Sequence, residues 1–271
     1  MPSERDLNSS LSFLKLGGSL ITDKTRPHTP RLGVIARLAG EIAAALNQDP
    51  SLSLVLGHGS GSFGHVPAKQ YGTKQGVSTP EQWRGFVEVW REAFTLDRIV
   101  IDALLDAGVP AISLAPSAAV TAEHGRLIAW DLTPLRHALS ARLVPVIYGD
   151  VIFDTHLGGT IFSTEDLFSF LARRLRPRRL LLAGREPGVW QDFPECQHLI
   201  PEINRSNLAD IRDSLGESTG TDVTGGMAAK VHEMLSLVQD IPGLEVDLFS
   251  GETPGLVKKV LLGDRAGTLI G

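Results

Sequence analysis

Three lysines, one histidine and three glycine-rich turns are the parts of this chain whose types and spacing suit chemistry. The first turn reads Phe13-Leu14-Lys15-Leu16-Gly17-Gly18-Ser19, and the second reads Leu54-Val55-Leu56-Gly57-His58-Gly59-Ser60-Gly61-Ser62-Phe63-Gly64-His65. Each closes a short apolar run. A strand that ends in glycines presents bare backbone N–H groups to whatever lies above the sheet, and phosphate is the ligand best matched to such a surface. Lys15 within the first run and His65 just after the second bring positive charge to those turns. A third turn, Thr221-Asp222-Val223-Thr224-Gly225-Gly226-Met227-Ala228-Ala229-Lys230, opens a helix, and helix N-termini attract anions. The chemistry these features suit is that of phosphate.

Each residue also has a plainer reading. Lys15, set among Phe13, Leu14 and Leu16, is costly inside a strand covered on both faces unless it is paired, which makes it the sharper case; an edge strand or a structural ion pair is the plainer alternative. Lys24, six residues past Gly18, can reach back over the turn or sit on the surface. On a helical wheel Val231, Met234, Leu235 and Val238 form the buried stripe, and Lys230 falls on its edge, where an idle lysine would sit opposite. His65 follows a glycine turn and precedes a flexible stretch, the alternative being a core histidine. His58, inside the strand end, reads as structural.

The run Gly59 to Gly64 matches G-x-G-x-x-G, and with Val66 it matches the protein-kinase glycine loop. The dinucleotide version needs a helix directly after the glycines, and Pro67, Gly72 and Gly76 work against a long one. The protein-kinase version needs H-R-D and D-F-G elsewhere. Neither occurs, nor does a Walker A sequence.

The elements that must hold these residues alternate between strand-like and helix-like, which favours an α/β fold with a largely parallel sheet. Val34, Ile35, Leu38, Ile42, Ala45 and Leu46 recur at helical spacing, and Asp49-Pro50 ends that helix. Residues 52–56 form the next strand. A long amphipathic helix runs from Pro80 with Trp83, Phe86, Val87, Trp90, Phe94, Ile99, Val100 and Leu104 on its apolar side, stopped by Gly108-Val109-Pro110. Residues 111–114 and 143–148 read as strands, with hairpins turning at Glu123-His124-Gly125 and Leu157-Gly158-Gly159. Ser163 and Asp166 fit a capping box for a helix over 167–175. Residues 180–183 form a strand covered on both faces. Residues 191–220 are irregular and polar, as in a mobile insertion. A helix over 227–238 and strands over 246–249 and 268–270 close the chain.

The length of 271 residues allows a large single domain or two tightly fused lobes, with 42% hydrophobic residues for the core. A net charge of −5 without a basic run argues against nucleic acid as the main partner. Basic residues gather only in Arg173-Arg174-Leu175-Arg176-Pro177-Arg178-Arg179, read as a solvated helix end where cations suit the dipole. The lone Cys196 rules out an intrachain disulfide and a cysteine-rich metal site. The polar start from Met1 to Asn8 lacks an apolar leader, and no stretch approaches ~20 apolar residues, so a cytoplasmic protein without a membrane partner is expected.

Taken together, Lys15-Leu16-Gly17-Gly18-Ser19, His58 to His65, Tyr148-Gly149-Asp150 and Gly225-Gly226-Met227-Ala228-Ala229-Lys230 resemble the amino acid kinase superfamily. Within it the chain is most similar to the isopentenyl phosphate kinases, over nearly its whole length. Ser62-Phe63-Gly64-His65 is the most discriminating piece: relatives acting on carboxylates or carbamate lack that histidine, whereas isopentenyl phosphate kinases and the related fosfomycin kinases have it.

The resemblance implies a three-layer α/β/α sandwich with an open, mostly parallel central sheet of about eight strands. It implies a single domain over residues 1–271, with 1–175 binding the acceptor and 176–271 the nucleotide, working as a homodimer with ATP and Mg²⁺. By carry-over, Lys15, Lys24 and Lys230 contact the ATP phosphates, lined by Gly17, Gly18, Ser19, Gly61 and Gly226. His65, with Lys15 and Lys24, takes the catalytic role, and Ser60, Gly64, His65, Gly149 and Asp150 bound the acceptor phosphate. No carboxylate cluster for a protein-held metal stands out, so Mg²⁺ is expected to arrive with ATP.

Two departures from the family pattern are visible. Ser60 stands where three consecutive glycines are usual, so its side chain either donates to the acceptor phosphate or narrows its site. Arg185-Glu186-Pro187-Gly188-Val189-Trp190 replaces an Asp-x-Asp-Gly-Val-Tyr sequence, and no adenine or ribose contact is assigned there.

A monophosphate acceptor is mostly dianionic at neutral pH, its second pKa being about 6, so it needs no general base. The expected activity is ATP-dependent phosphorylation of isopentenyl phosphate. The same site could serve fosfomycin or another small phosphate or phosphonate, or a nucleotide-binding storage or sensor protein. Trp83, Phe86, Val87 and Trp90 are candidates for a pocket around a five-carbon tail, or plain core.

Overall fold

Apolar runs closed by turns become strands, and the amphipathic runs between them become helices that cover both faces. The computed structural model describes residues 10–208 and 226–271. Residues 1–9, the first half of the third glycine turn (221–225) and part of the irregular region (209–220) lie outside the described residues.

In chain order the strands are β1 (Leu11–Leu16), β2 (Ser53–His58), β3 (Ala111–Ser113), β4 (Val120–Glu123), β5 (Arg126–Trp130), β6 (Val144–Tyr148) and β7 (Asp150–Asp154). They continue with β8 (Gly158–Phe162), β9 (Arg179–Gly184), β10 (Val189–Trp190), β11 (Leu199–Ile200), β12 (Glu202–Ile203), β13 (Glu245–Ser250) and β14 (Thr268–Ile270). The helices are α1 (Gly18–Ile21), α2 (Leu32–Gln48), α3 (His65–Tyr71), α4 (Pro80–Asp106), α5 (Thr133–Ser140), α6 (Thr164–Leu175), α7 (Gly226–Asp240) and α8 (Leu256–Leu261).

One eight-stranded sheet runs β12-β14-β13-β9-β1-β2-β6-β3. Every neighbouring pair in it is parallel except β13 with β14. The order reverses at β1: β2, β6 and β3 build on one side, β9 and β13 on the other. A smaller sheet, β5-β4-β7-β8, carries both expected hairpins.

Alternation along β1 sends neighbouring side chains to opposite faces. Phe13 packs on Phe168 of α6 with ring centroids 5.0 Å apart, in a cluster with Leu180, Val246, Met234 and Leu235. Leu14 and Leu16 join the opposite cluster, with Ile35, Leu38 and Ile42 of α2, Leu96 and Val100 of α4 and Val257 and Val260 of α8. The result is the expected three-layer α/β/α arrangement. Lys15 shares the Phe13 face, and so points towards α6.

Local signals hold as read. Ser163 and Asp166 form a capping box on α6, and Thr79 with Gln82 forms another at the start of α4. Two readings change. Arg173 and Arg174 occupy the last turn of α6, but Arg179 is a buried strand residue whose Nη2 donates to Asp247 Oδ2 at 2.9 Å. The stretch read as irregular includes β11, paired with β10, and β12, which joins the edge of the large sheet beside β14.

Candidate active site at the carboxyl ends of the parallel strands

β1, β2, β6 and β9 all end at one edge of the sheet, where the strand order reverses, and open α/β sheets bind ligands at that place. A cleft of about 670 Å³ lies there, reached by both glycine turns and by the starts of α3 and α6.

The two turns are packed backbone to backbone. A Cβ on Gly18 would fall 2.3 Å from the Gly61 nitrogen, and Gly61 itself has φ +57°, so neither position accepts a side chain. The Thr22 hydroxyl locks them together, donating to Gly18 O at 2.7 Å and accepting the Ser62 N–H at 2.8 Å. On the other side the Gly17 N–H donates to Ala183 O of β9 at 2.8 Å. Gly17, Gly18, Ser19 and Gly61 all line the cleft, as does Lys24.

Lys15 is 8% exposed and donates to Glu165 Oε1, the second residue of α6. Lys230 on α7 comes to 3.8 Å from the same oxygen. Burial alone would raise the Glu165 carboxyl, but Lys15 and Lys230 outweigh it and hold the group below the usual carboxylate range. One carboxylate thus draws two lysines from opposite ends of the chain into the cleft, where all three are wall residues. Glu165 was not singled out in the sequence. Its signal was there, an acid beside the capping pair Ser163 and Asp166, together with the need of Lys15 for a counter-charge.

The second turn leads straight into α3. This helix is only seven residues long, with Pro67 inside its first turn, where a missing N–H does no harm. His65 is its first residue and lines the cleft. The Gly64 N–H donates to the buried Glu92 carboxylate on α4, a second acid the sequence did not reveal. Ser60 and Gly149 also line the cleft, and the Ser60 hydroxyl lies 3.5 Å from the Gly149 carbonyl, aimed across the loop.

Asp150 is placed differently from its neighbours. It is 1% exposed, is not among the cleft-lining residues, and accepts the Ser117 N–H at 3.1 Å and the Val151 N–H at 2.8 Å. Burial pushes its carboxyl up to about 6, against those hydrogen bonds. Gly226 is the first residue of α7, one turn before Lys230. His58 is structural, as read: it is buried, with Nε2 3.2 Å from Asp97 Oδ1 and its ring stacked on Tyr148.

The apolar part of the cleft comes from other residues of α4 than those expected, on the same side of the helix as Phe86. Val89 and Ala93 line it, with Ile161 of β8, Phe63 and Ala68. Phe86 is core, Trp83 packs against it, and Val87 and Trp90 face outward. Among the described residues no group of three or more His, Cys, Asp or Glu could hold a metal ion, and no helix is long and apolar enough to cross a membrane.

Glycine turns and lysines gathered at the switch point of a mostly parallel sheet define a phosphate-handling α/β enzyme. Residues 11–245 match the amino acid kinase family, and the chain belongs to that family. It is similar to the isopentenyl phosphate kinase of Methanothermobacter thermautotrophicus, 36% identical over 267 residues that cover 95% of this chain and 98% of that protein. The isopentenyl phosphate kinase of Haloferax volcanii is 37% identical over 253 residues, covering 92% and 98%. A solved structure described as "X-ray structures of isopentenyl phosphate kinase" superposes with a TM-score of 0.81 at 31% identity, covering 96% of this chain and all of that one.

Proposed function

We propose that this chain transfers the terminal phosphate of ATP to isopentenyl phosphate, giving isopentenyl diphosphate and ADP. The observation that carries the reading is one cleft that brings Lys15, Lys24, Lys230 and the glycine turns together with the apolar side chains of Val89, Ala93 and Ile161. Such a cleft suits a short apolar tail that ends in phosphate. The named relatives support the same acceptor.

The acceptor dianion attacks the terminal phosphorus of ATP, the bond to the bridging oxygen breaks, and ADP leaves. No proton has to be removed from the nucleophile, so positioning and positive charge supply the catalysis. Lys15, Lys24 and Lys230 take the ATP phosphates, with Gly17, Gly18, Ser19, Gly61 and Gly226 along them. Mg²⁺ enters as part of the ATP substrate and shields its phosphate charge. His65 donates to the acceptor phosphate, beside Gly64, Ser60 and Gly149. Asp150 acts from behind by holding Ser117. In this reading residues 1–175 bind the acceptor and 176–271 the nucleotide, in a cytoplasmic homodimer.

Turnover of MgATP with isopentenyl phosphate, dimethylallyl phosphate and fosfomycin, measured side by side, tests the acceptor. Preferred use of isopentenyl phosphate is expected. Preferred use of fosfomycin, or ATP binding without transfer to any of them, rejects the reading. Light scattering on the purified protein checks the dimer.

A further inference from the structure

Arg185 stands on the cleft wall immediately after β9, and the activity above makes no use of it. The end of β13 holds its backbone and that of the residue before it: Ser250 Oγ donates to the Arg185 carbonyl at 2.9 Å, and the Gly251 N–H donates to the Gly184 carbonyl at 2.8 Å. Gly184 in turn lies against the first glycine turn, with its Cα 3.5 Å from where a Cβ on Gly17 would stand. The residue is therefore held at the edge of the surface assigned to the nucleotide phosphates.

The side chain is held much less firmly. It is 62% exposed, and its carboxylate neighbour is Glu252, with Nε 3.4 Å from Oε1. That carboxylate already has a better partner: Arg31 grips it with two nitrogens, at 2.5 and 3.1 Å. Fork-to-fork pairing with Arg31 supplies the stronger interaction, so Arg185 can leave without stranding Glu252. On the opposite side, Arg185 helps to hold the Asp23 carboxyl below the usual range, after the Thr25 hydrogen bonds and Arg26. Asp23 precedes Lys24, so Arg185 and Lys24 flank the same glycine turn.

We propose that Arg185 is a phosphate-binding residue of the nucleotide end of the cleft, exchanging its contact with Glu252 for the phosphates of a nucleoside triphosphate. A guanidinium suits this task because its planar fork matches phosphate oxygens. The inference rests on the kinase reading for the presence of a nucleotide, but not on the identity of the acceptor.

The test is the Kd for MgATP measured by calorimetry without acceptor, on the wild type, Arg185→Ala and Arg185→Lys, with the acceptor KM measured separately. Arg185→Ala should weaken MgATP binding on the order of 10- to 100-fold, the range of one charge-assisted contact. Arg185→Lys should recover part of that loss, and the acceptor KM should stay within twofold. The slope of log Kd against log salt should also flatten in Arg185→Ala. Wild-type MgATP affinity in Arg185→Ala, or an equal loss for both substrates, overturns the proposal. A wild type that binds MgATP but leaves isopentenyl phosphate untouched sinks the acceptor reading alone. A wild type that binds no MgATP sinks both.

Discussion

Lys15 and Glu165, 150 residues apart in the chain, meet in a buried ion pair directly beneath the first glycine turn. Lys230 shares the same carboxylate from 3.8 Å. The pair therefore has two functions that one mutation cannot separate. It neutralises a lysine inside a strand buried along its whole length, and it holds two ammonium groups at the cleft wall, where the proposed function uses them for phosphate.

Replacing Lys15 with Ala should abolish transfer and also destabilise the fold. Breaking a buried pair from one side costs about 3–5 kcal/mol, reduced here because Lys230 still faces Glu165. Adding Glu165→Gln to that variant should return stability, since no buried charge remains unpaired, but not turnover. Denaturant titrations and rates on the two variants check this. A Lys15→Ala protein with full turnover, or a double variant that regains it, would show that Lys15 serves the fold alone.

The contact between the turns gives a sharper steric test. Gly18→Ala puts a Cβ 2.3 Å from the Gly61 nitrogen, a backbone atom that cannot move aside cheaply. The variant should lose at least tenfold in kcat/KM, about 1.4 kcal/mol or more, with a lower Tm. Gly40→Ala is the control, since a Cβ there meets nothing within 4 Å. In the middle of α2 it should stabilise by roughly 0.5–1 kcal/mol. Equal effects from the two substitutions would contradict the packed-turn geometry.

Much of this architecture was legible in the sequence because it is written in local patterns. The apolar run of β1, the capping box of α6 and the hairpin turns are all decided by residues a few positions apart. What was hidden depends on distant partners. Lys15 announced its need for a counter-charge, but nothing local says that residue 165 supplies it. Arg179 looked like part of a charged helix end because its partner Asp247 lies on another strand. The apolar stripe of α4 was visible, yet a helical wheel does not say which edge of a 27-residue helix borders a cleft. Val89 and Ala93 do so, because α3 and β8 meet the helix there. The first half of the third turn falls outside the described residues, so its reading rests on Lys230 and the start of α7.

Lys230→Ala should weaken use of ATP more than use of the acceptor. Its ammonium is partly exposed and 3.8 Å from Glu165, so the stability cost should stay within about 1 kcal/mol. The KM for MgATP should rise about tenfold or more, with the KM for isopentenyl phosphate little changed. An equal rise for both, or a rise for the acceptor alone, contradicts the assignment of α7 to the nucleotide.

Asp150 sets a pH dependence of stability. Its carboxyl is pushed by burial from 3.8 to about 6, so the folded protein holds the proton more tightly than the unfolded chain. Its contribution to stability is then full below the unfolded value and is lost as pH rises through 6. Asp150→Asn never ionises. The stability of the variant relative to wild type should therefore grow between pH 4 and 6.5, by on the order of 2–3 kcal/mol, and then level off. Urea titrations across that range measure it. A difference that does not change with pH means that Asp150 ionises as easily folded as unfolded.

His65 should serve the acceptor phosphate as a hydrogen-bond donor and not as a base. A dianionic acceptor attacks without losing a proton, so the imidazole is useful for what it donates, and best as the cation. His65→Ala should lower kcat on the order of 10²–10³, as loss of a single transition-state donor does elsewhere. Gln or Asn at this position can donate but cannot take a proton near neutral pH, so either should restore part of that loss. The Kd for MgATP should barely change in all three variants. If Gln and Asn prove as inactive as Ala while the fold is intact, the imidazole's charge or its basicity is essential. A pH–rate profile then separates those two, because a base works as the neutral ring and gains with rising pH, whereas a cationic donor loses.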